Sequence, residues 1–222
     1  MKIIIATSDL MSYLVNPFCE LWEKYGGPKP ITILYYEKKP INLPDWVETI
    51  SLGKQDRFWP NSISKYIKTI KENEFALFLE DNFLNTNFHI NTFNVCKELI
   101  KECDKVCLYS NILSAKLKYV KTINDIFCFD IVDEKIRYYI TSLAPAIWKK
   151  DTFLKFCHEG QTIWNFETCD QNKNSRIKVM ATNPTTIICQ NFFAKGKINK
   201  KAINRFMEED IEILKKHNVK LT

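Results

Sequence analysis

Short apolar runs alternate with segments of helical periodicity over the first half of the chain. Residues 2–7, 31–36 and 75–79 form largely apolar runs, and a strand-like segment with more polar residues covers 47–52. Runs of this kind form strands that are buried on both faces, whereas amphipathic helices repeat their apolar residues every three or four positions. The alternation therefore predicts an α/β fold with a mainly parallel sheet flanked by helices.

The second half of the chain has shorter strand-like runs, which charged turns separate. The expected elements are strands at 106–109, 126–129 and 136–140 and helices at 149–158, 164–171 and 200–217. No linker rich in Gly and Ser divides the 222 residues. We therefore expect a single domain with a parallel first half, residues 1–110, and a mixed second half, residues 111–222.

Charge and cysteine content restrict the partners and the environment of the chain. The 32 Lys and Arg outnumber the 26 Asp and Glu, and the net charge of +6 is compatible with a nucleotide phosphate or a nucleic acid. The sequence contains no run of about eighteen apolar residues, so we expect no membrane span. Asp9 interrupts the apolar start too early for a secretory signal. We therefore expect a cytoplasmic protein. The 8 Cys form no C-x-x-C pair, which argues for buried, reduced thiols.

Acidic and amide side chains follow directly after one apolar run. Glu80, Asp81 and Asn82 come after the run that ends at Leu79. In open α/β sheets, ligands bind outside the carboxyl ends of the strands. Two carboxylates at such an end suit a hard divalent cation, which takes oxygen ligands and usually shares them with a diphosphate. The structural alternative is that these residues form a turn or cap the next helix.

Several segments, taken in their order along the chain, resemble a known family. They are Ala6–Asp9, Ile50–Gln55 with Trp59 and Asn61, Leu79–Asn82, Leu143–Lys150 with Trp164–Glu167, and Lys195–Ile198. In this order they resemble the small GT-A-type glycosyltransferases that phages and bacteria often encode. The resemblance implies a Rossmann-like GT-A fold whose first half binds a nucleotide-sugar and whose second half binds the acceptor. It also implies Mn or Mg on the donor diphosphate.

The resemblance assigns roles to individual residues of the first half. Those that it places at the metal and the diphosphate are Glu80, Asp81 and Asn82. Those that it places beside the nucleoside are Thr7, Ser8, Asp9, Gln55, Trp59 and Asn61. Other roles stay open on chemical grounds. Ser8 and Asp9 are favoured caps for a following helix with Leu10 on its apolar face, and Trp59 can be a core residue instead of stacking on a base.

On the acceptor side, the resemblance points to Trp148 and Trp164 as contacts of the acceptor. An inverting transferase also needs a carboxylate that takes the proton from the acceptor hydroxyl as it attacks the anomeric carbon. The resemblance points to Glu167 for this role, at a helix start, with Asp170 as the nearby substitute. An acidic residue at such a place can equally stabilise the first turn of the helix.

These inferences predict a glycosyltransferase that moves a sugar from a nucleotide-sugar, expected to be a UDP-sugar, to a hydroxyl acceptor. The acceptor is a glycan or a modified base in DNA. For DNA, the basic residues Lys200, Lys201 and Arg205 would contact phosphates. The alternative function is that of a non-catalytic protein which keeps the GT-A fold and binds nucleic acid or glycan.

Overall fold

The structure is a computed structural model that describes residues 1–109, 115–132, 140–169, 176–188, 192–194 and 197–221. Three sequence-based expectations fall wholly or mostly outside these ranges: the strand at 136–140, Asp170 and the start of the Lys195–Ile198 segment. The described residues form a central sheet with helices on both of its faces.

The central sheet contains nine described strands. They are β1 (Lys2–Ala6), β2 (Ile31–Tyr35), β3 (Val47–Ser51), β4 (Glu74–Leu79), β5 (Lys105–Cys107), β6 (Leu117–Ile123), β7 (Ile126–Ile131), β8 (Ala146–Lys149) and β9 (Val179–Asn183). Their order across the sheet is β3-β2-β1-β4-β8-β5-β9-β7-β6. A separate antiparallel pair is formed by β10 (Phe193–Ala194) and β11 (Lys197–Ile198).

Helices connect and cover the strands. They are α1 (Val15–Lys24), α2 (Trp59–Thr69), α3 (Ile90–Leu99), α4 (Lys150–Phe156), α5 (Ile163–Thr168), α6 (Lys200–Ile203) and α7 (Glu208–Lys216). Short 3₁₀ turns, Ser12–Leu14 and Ile100–Glu102, precede α1 and follow α3. Among the described helices, none combines the length and the apolar character that crossing a membrane requires.

The first four strands run parallel, as the sequence predicts. β1 pairs in parallel with β2 and β4, and β2 pairs in parallel with β3. The register places Ala6 opposite Leu79, so β1 and β4 end side by side. Beyond β4 the sheet is mixed, because β8 runs antiparallel to both β4 and β5, and β7 runs antiparallel to both β9 and β6. The predicted α/β fold, with a mixed second half, is confirmed.

Each face of the sheet has its own apolar core. Ile3 and Ile5 of β1 pack into a cluster that includes residues of α1, α3 and α7. Ile4 and Ala6 point to the opposite face and pack with residues of α2, α4 and α5. Because both faces are buried, the strand needs apolar residues at successive positions, which explains the continuous runs in the sequence.

The described cysteines are free thiols, as expected. They are Cys19, Cys96, Cys103, Cys107, Cys128, Cys157 and Cys169, and the first five are buried. Burial raises the pKa of the Cys19 thiol to about 12. Such a thiol stays protonated at neutral pH and is therefore a poor nucleophile.

The helix expected directly after Asp9 begins later. The chain first forms the 3₁₀ turn, and α1 begins at Val15. Leu10 is 77% exposed, so the expectation that it lies on a buried helix face is wrong. The Asp9 carboxylate accepts hydrogen bonds from the backbone amides of Glu37 and Lys38, at 3.0 and 2.7 Å, and does not cap α1. Asp9 thus ties the end of β1 to the loop after β2.

The single C-terminal helix expected over 200–217 is wrong, since two helices, α6 and α7, occupy this range. Asp210 defines the start of α7, because its carboxylate accepts a hydrogen bond from the Met207 amide at 3.1 Å. The carboxylate is fully buried and also accepts hydrogen bonds from the Lys24 ammonium, at 2.7 Å, and from the Tyr25 hydroxyl, at 2.8 Å. A buried acid therefore fixes α7 against the end of α1.

We expect Asp210→Ala to lower the free energy of unfolding by about 2–4 kcal/mol, because it leaves the buried Tyr25 hydroxyl and the Lys24 ammonium without their acceptor. Glu209 provides a matched control, since it also pairs with Lys24, at 3.1 Å, but has an 80% exposed side chain. Glu209→Ala should change the free energy of unfolding by less than about 0.5 kcal/mol. Urea denaturation measures both variants, and equal effects would contradict the special role of Asp210.

Candidate functional site

A cavity of about 500 Å³ opens where β1 and β4 end. Its lining includes the residues directly after these two strands, the loop 55–57 before α2, the segment 142–144 before β8, and residues of α5. The carboxyl ends of neighbouring parallel strands thus form one wall of the cavity. Open α/β sheets bind their ligands at this edge.

Most residues singled out from the sequence meet in this cavity. Those that line it are Thr7, Ser8, Gln55, Trp59, Glu80, Asp81, Asn82, Trp164 and Glu167. Asp9, Asn61 and Trp148 do not line it, and Asp170 lies outside the described residues. Residues from both halves of the chain therefore share a single cavity.

Glu80, which is buried, and Asp81, which is half-buried, form an acidic pair at the end of β4. Burial, and then the charge of Asp81, raise the pKa of Glu80 well above its usual value, although the backbone amide of Ser8 acts in the opposite direction. Burial also raises the pKa of Asp81 to about 6, against a hydrogen bond from the Phe193 amide. In the part of the chain that the structure describes, no Lys or Arg forms an ion pair with either carboxylate. Within the described ranges, the pair therefore lacks the ion-pair partner that buried acids usually have.

Asn82 closes the turn after β4. Its side-chain oxygen accepts a hydrogen bond from the Leu79 amide at 2.8 Å. Its side-chain amide donates to Asp81 Oδ1 at 3.2 Å. The structural alternative considered from the sequence thus describes Asn82 well, and this residue orients the carboxylate of its neighbour.

Hydrogen bonds between distant segments hold the end of the cavity that contains Gln55. Gln55 Oε1 accepts a hydrogen bond from the Asp9 amide at 2.7 Å. Because Asp9 also binds the loop after β2, it connects Gln55 to the segment that carries Tyr36, another lining residue. The Asp9 carboxylate binds backbone amides and does not line the cavity, and its expected place beside a nucleoside stays a prediction.

Trp59 and Asn61 both lie in the first turn of α2, but in different surroundings. The Trp59 ring packs edge-on against Phe153 and Phe166, with centroids 6.4 and 5.5 Å away, and it also lines the cavity. Trp59 is thus partly a core residue, and its stacking on a base stays a prediction. Asn61 does not line the cavity, so its expected contact with the nucleotide does not fit this geometry; its carbonyl accepts a hydrogen bond from the Ser64 hydroxyl.

Trp148 is a core residue of β8, and the expectation that it binds an acceptor is wrong. Its side chain is fully buried and does not reach the cavity. The ring packs edge-on against Phe153 and Phe156. The Lys105 ammonium lies 4.4 Å from the ring centroid. Trp164, by contrast, lines the cavity and is 59% exposed.

Glu167 lies near the end of α5, so the expectation that it lies at a helix start is wrong. Thr162 caps this helix by accepting a hydrogen bond from the Asn165 amide. Glu167 Oε1 accepts a hydrogen bond from the Leu143 amide at 2.7 Å, which connects α5 to the segment before β8. Burial raises the pKa of this carboxyl, against the smaller effects of that hydrogen bond and of the Lys105 charge. A carboxyl in such surroundings is suited to exchange a proton with a ligand.

Several lining residues were not predicted from the sequence: Tyr36, Asp56, Arg57, Ser142 and Phe193. Asp56 and Arg57 could have been found, because they directly follow Gln55. The hydrogen bond between the Phe193 amide and Asp81 Oδ2, at 3.4 Å, joins residues far apart in the chain and leaves no local signal.

Comparison with known proteins supports the fold. No protein-family model matches the sequence, and no curated protein matches it either. HddC from Yersinia pseudotuberculosis, solved in complex with GMP-PN, is similar in structure, with a TM-score of 0.50, 12% identity, and coverage of 82% of this chain and 89% of that chain. The 1–349 fragment of S. aureus TarS has a TM-score of 0.50 and 10% identity, with coverage of 82% of this chain and 58% of that chain. At such identities the likeness shows a shared GT-A-like, Rossmann-type fold.

The acidic pair contributes to the way in which stability depends on pH. The folded-state pKa of Asp81, about 6, exceeds its ordinary value of 3.8. Between these values the native state keeps a proton that the unfolded chain has lost. The contribution of Asp81 to the free energy of unfolding therefore falls as the pH rises from about 4 to about 6, by roughly 3 kcal/mol, and then stays constant.

We expect Asp81→Asn to remove this dependence in the ligand-free protein. The free energy of unfolding should rise above that of the native chain at about pH 8 and change little at about pH 4. The exposed Asp45, in the loop before β3, provides the control substitution Asp45→Asn. Chemical denaturation at both pH values is the measurement, and an Asp81→Asn protein less stable than the native chain at the higher pH would contradict the raised pKa of Asp81.

Proposed function

We propose that this chain transfers a sugar from a nucleotide-sugar to a neutral hydroxyl acceptor, with a divalent cation bound at Glu80 and Asp81. One observation carries the proposal: these two carboxylates and that of Glu167 lie in the same cavity, on different walls. The first two suit a cation on a diphosphate, and the third suits removal of a proton from a hydroxyl. A GT-A-like fold, which this chain shares with a protein solved with GMP-PN, further supports a nucleotide donor.

The charge of the cavity supports a neutral acceptor. The described lining residues include four carboxylates, of Asp56, Glu80, Asp81 and Glu167, and one guanidinium, of Arg57. Among the described lining residues, only the Arg57 guanidinium could form an ion pair with a second phosphate, so a second phosphate-bearing substrate is disfavoured. This favours sugar transfer to a hydroxyl over nucleotidyl transfer to a sugar phosphate. The acceptor, a glycan or a modified nucleobase, would present an uncharged group to Glu167.

The residues present fit a divalent cation that takes two ligands from the protein. Burial raises the pKa of both Glu80 and Asp81, and a bound cation would favour their ionised forms. Asn82 is left out of the ligand set, because its oxygen already binds the Leu79 amide. No group of three His, Cys, Asp or Glu among the described residues can hold a metal alone. The other ligands would be diphosphate oxygens and water, and the ion would neutralise charge on the departing diphosphate.

In the proposed reaction, the acceptor oxygen attacks the anomeric carbon of the donor sugar. The bond between this carbon and the diphosphate oxygen breaks, and the nucleoside diphosphate leaves with the bonding electrons. The hydroxyl proton passes to the Glu167 carboxylate. Because the Leu143 amide binds Oε1, the other oxygen, Oε2, is the one that takes the proton. The exposed Trp164 offers an apolar surface to the acceptor.

The proposed cation site makes nucleotide affinity depend on Mn²⁺. We expect calorimetric titration of UDP to give an affinity about tenfold or more higher with Mn²⁺ than with a chelator, because the ion joins the diphosphate to two carboxylates. The gain should weaken below about pH 6, where Asp81 binds a proton in competition with the ion.

Asp81→Asn should lose this gain, and Asp45→Asn should keep it. A gain that survives in Asp81→Asn, or an affinity independent of Mn²⁺, would overturn the cation assignment. Parallel titrations with GDP, CDP and ADP identify the preferred base, and failure of all four diphosphates to bind would overturn the nucleotide donor.

Glu167→Gln tests the proposed base, because glutamine keeps an oxygen for the Leu143 amide but takes no proton. Turnover, measured as release of UDP from UDP-glucose with Mn²⁺ and hydroxyl acceptors, should fall by a factor of about 10²–10⁴, with an unchanged Kd for UDP. Glu159→Gln, at an exposed acid after α4, is the control. An unchanged rate in Glu167→Gln would exclude Glu167 as the base. Nucleotide binding without turnover in the native chain would favour the non-catalytic alternative.

A further inference from the structure

We propose that Lys105 is a positioning residue that fixes the backbone segment 140–143 and, through it, the carboxylate of Glu167. The catalytic meaning of this role rests on the proposed function, whereas the contacts themselves do not. Lys105 is the first residue of β5, an interior strand between β8 and β9. It is only 2% exposed, although it carries an ammonium group. A buried ammonium is tolerated only where acceptors surround it.

The surroundings of Lys105 supply such acceptors. Its Nζ donates hydrogen bonds to the carbonyl oxygen of Ile140, at 3.1 Å, and to that of Ser142, at 2.8 Å. The face of the Trp148 ring lies on another side, with its centroid 4.4 Å from Nζ. Carbonyl oxygens and aromatic faces both stabilise a cation. This explains why a lysine occupies the interior of the sheet and why an indole is packed over it.

The segment that Lys105 binds also forms hydrogen bonds with α5. The Thr141 hydroxyl, between the two bound carbonyls, donates to the Phe166 carbonyl at 2.8 Å. The Leu143 amide donates to Glu167 Oε1 at 2.7 Å. Lys105 therefore holds the carbonyl side of the same short segment whose hydroxyl and amide groups hold α5. Removing the ammonium would release two carbonyls and loosen the donor that orients Glu167.

Charge couples the same two residues. Among the described titratable groups, Glu167 and Cys107 act on Lys105, and Lys105 acts on Glu167. Burial lowers the pKa of Lys105 and raises that of Glu167, and each charge opposes the effect of burial on the other residue. Burial raises the pKa of the Cys107 thiol, so this neighbour stays neutral. Lys105 therefore favours the ionised carboxylate, the form that accepts a proton.

The test is an NMR titration of the glutamate side-chain carboxyl carbons in the ligand-free protein, in which the Glu167 signal is the one absent from Glu167→Gln. In Lys105→Met, the titration midpoint of Glu167 should move to higher pH by about half a unit or more. Lys105→Arg, which keeps the charge, should leave the midpoint near its native value. Lys101→Met, at an exposed lysine of the 3₁₀ turn that precedes β5, should not move it. An unchanged midpoint in Lys105→Met would overturn the proposal.

If Lys105→Met does not fold, the same coupling is measured from the other residue. Coupling between two sites is reciprocal, so Glu167→Gln should lower the midpoint of the lysine ε-carbon signal that titrates at the lowest pH in the native chain. No change in that midpoint would equally overturn the proposal.

Neither titration needs a substrate, so the role of Lys105 stands or fails independently of sugar transfer. Where turnover is measurable, we expect Lys105→Met to shift the acidic limb of the pH–rate profile by the same amount as the titration midpoint of Glu167. The Kd for UDP should be unchanged. A shift in the NMR midpoint together with an absence of turnover in the native chain would overturn the proposed function and leave the positioning role intact. A loss of UDP affinity in Lys105→Met would contradict a role confined to the Glu167 wall of the cavity.

Discussion

The parallel pairing of β1 with β4 is the constraint on which the rest of the site depends. Its register brings Ala6 and Leu79 opposite each other, so the residues that follow both strands emerge together at one edge of the sheet. Because both faces of these strands are buried, the two carboxylates after β4 lie at the boundary of an apolar interior. Burial therefore opposes their ionisation, and an incoming cation would relieve that effect. The fold thus creates a local need for positive charge where a diphosphate would lie.

The strands of the parallel half and the acidic pair could be predicted from the sequence, because burial on both faces leaves a continuous apolar run. For Trp148, the family resemblance predicted contact with an acceptor, whereas the apolar run around it predicts a buried strand. Ala146, Ile147 and Trp148 are three consecutive apolar residues, and the structure makes them a buried strand. A tryptophan in such a run belongs to the core, whereas the isolated Trp164, at the start of a polar helix, is exposed.

The residues that could not be predicted owe their roles to partners distant in the chain. Asp9 binds amides after β2, and Asp210 binds side chains at the end of α1. Lys105 binds carbonyls before β8. Each is a charged residue whose local sequence is equally compatible with an exposed position, because the pattern of neighbours does not record which backbone groups will surround it. Glu167 could be predicted only in part. Its place among the cavity residues was expected from the sequence, but its position near the end of α5 was not.

The direction of β8 has a consequence for how such a chain can diversify. β8 runs opposite to β4 and β5, so its amino end, preceded by Ser142 and Leu143, lies at the edge where β4 and β5 end. At this edge the chain enters the sheet through Ser142 and Leu143 into β8, and it leaves the sheet from β4 through the acidic pair. Insertions or deletions before β8 can reshape the wall that Ser142 and Leu143 form, without changing the register of β1 to β4. The Glu167 side of the cavity can thus vary in shape independently of the strand pairing that places Glu80 and Asp81.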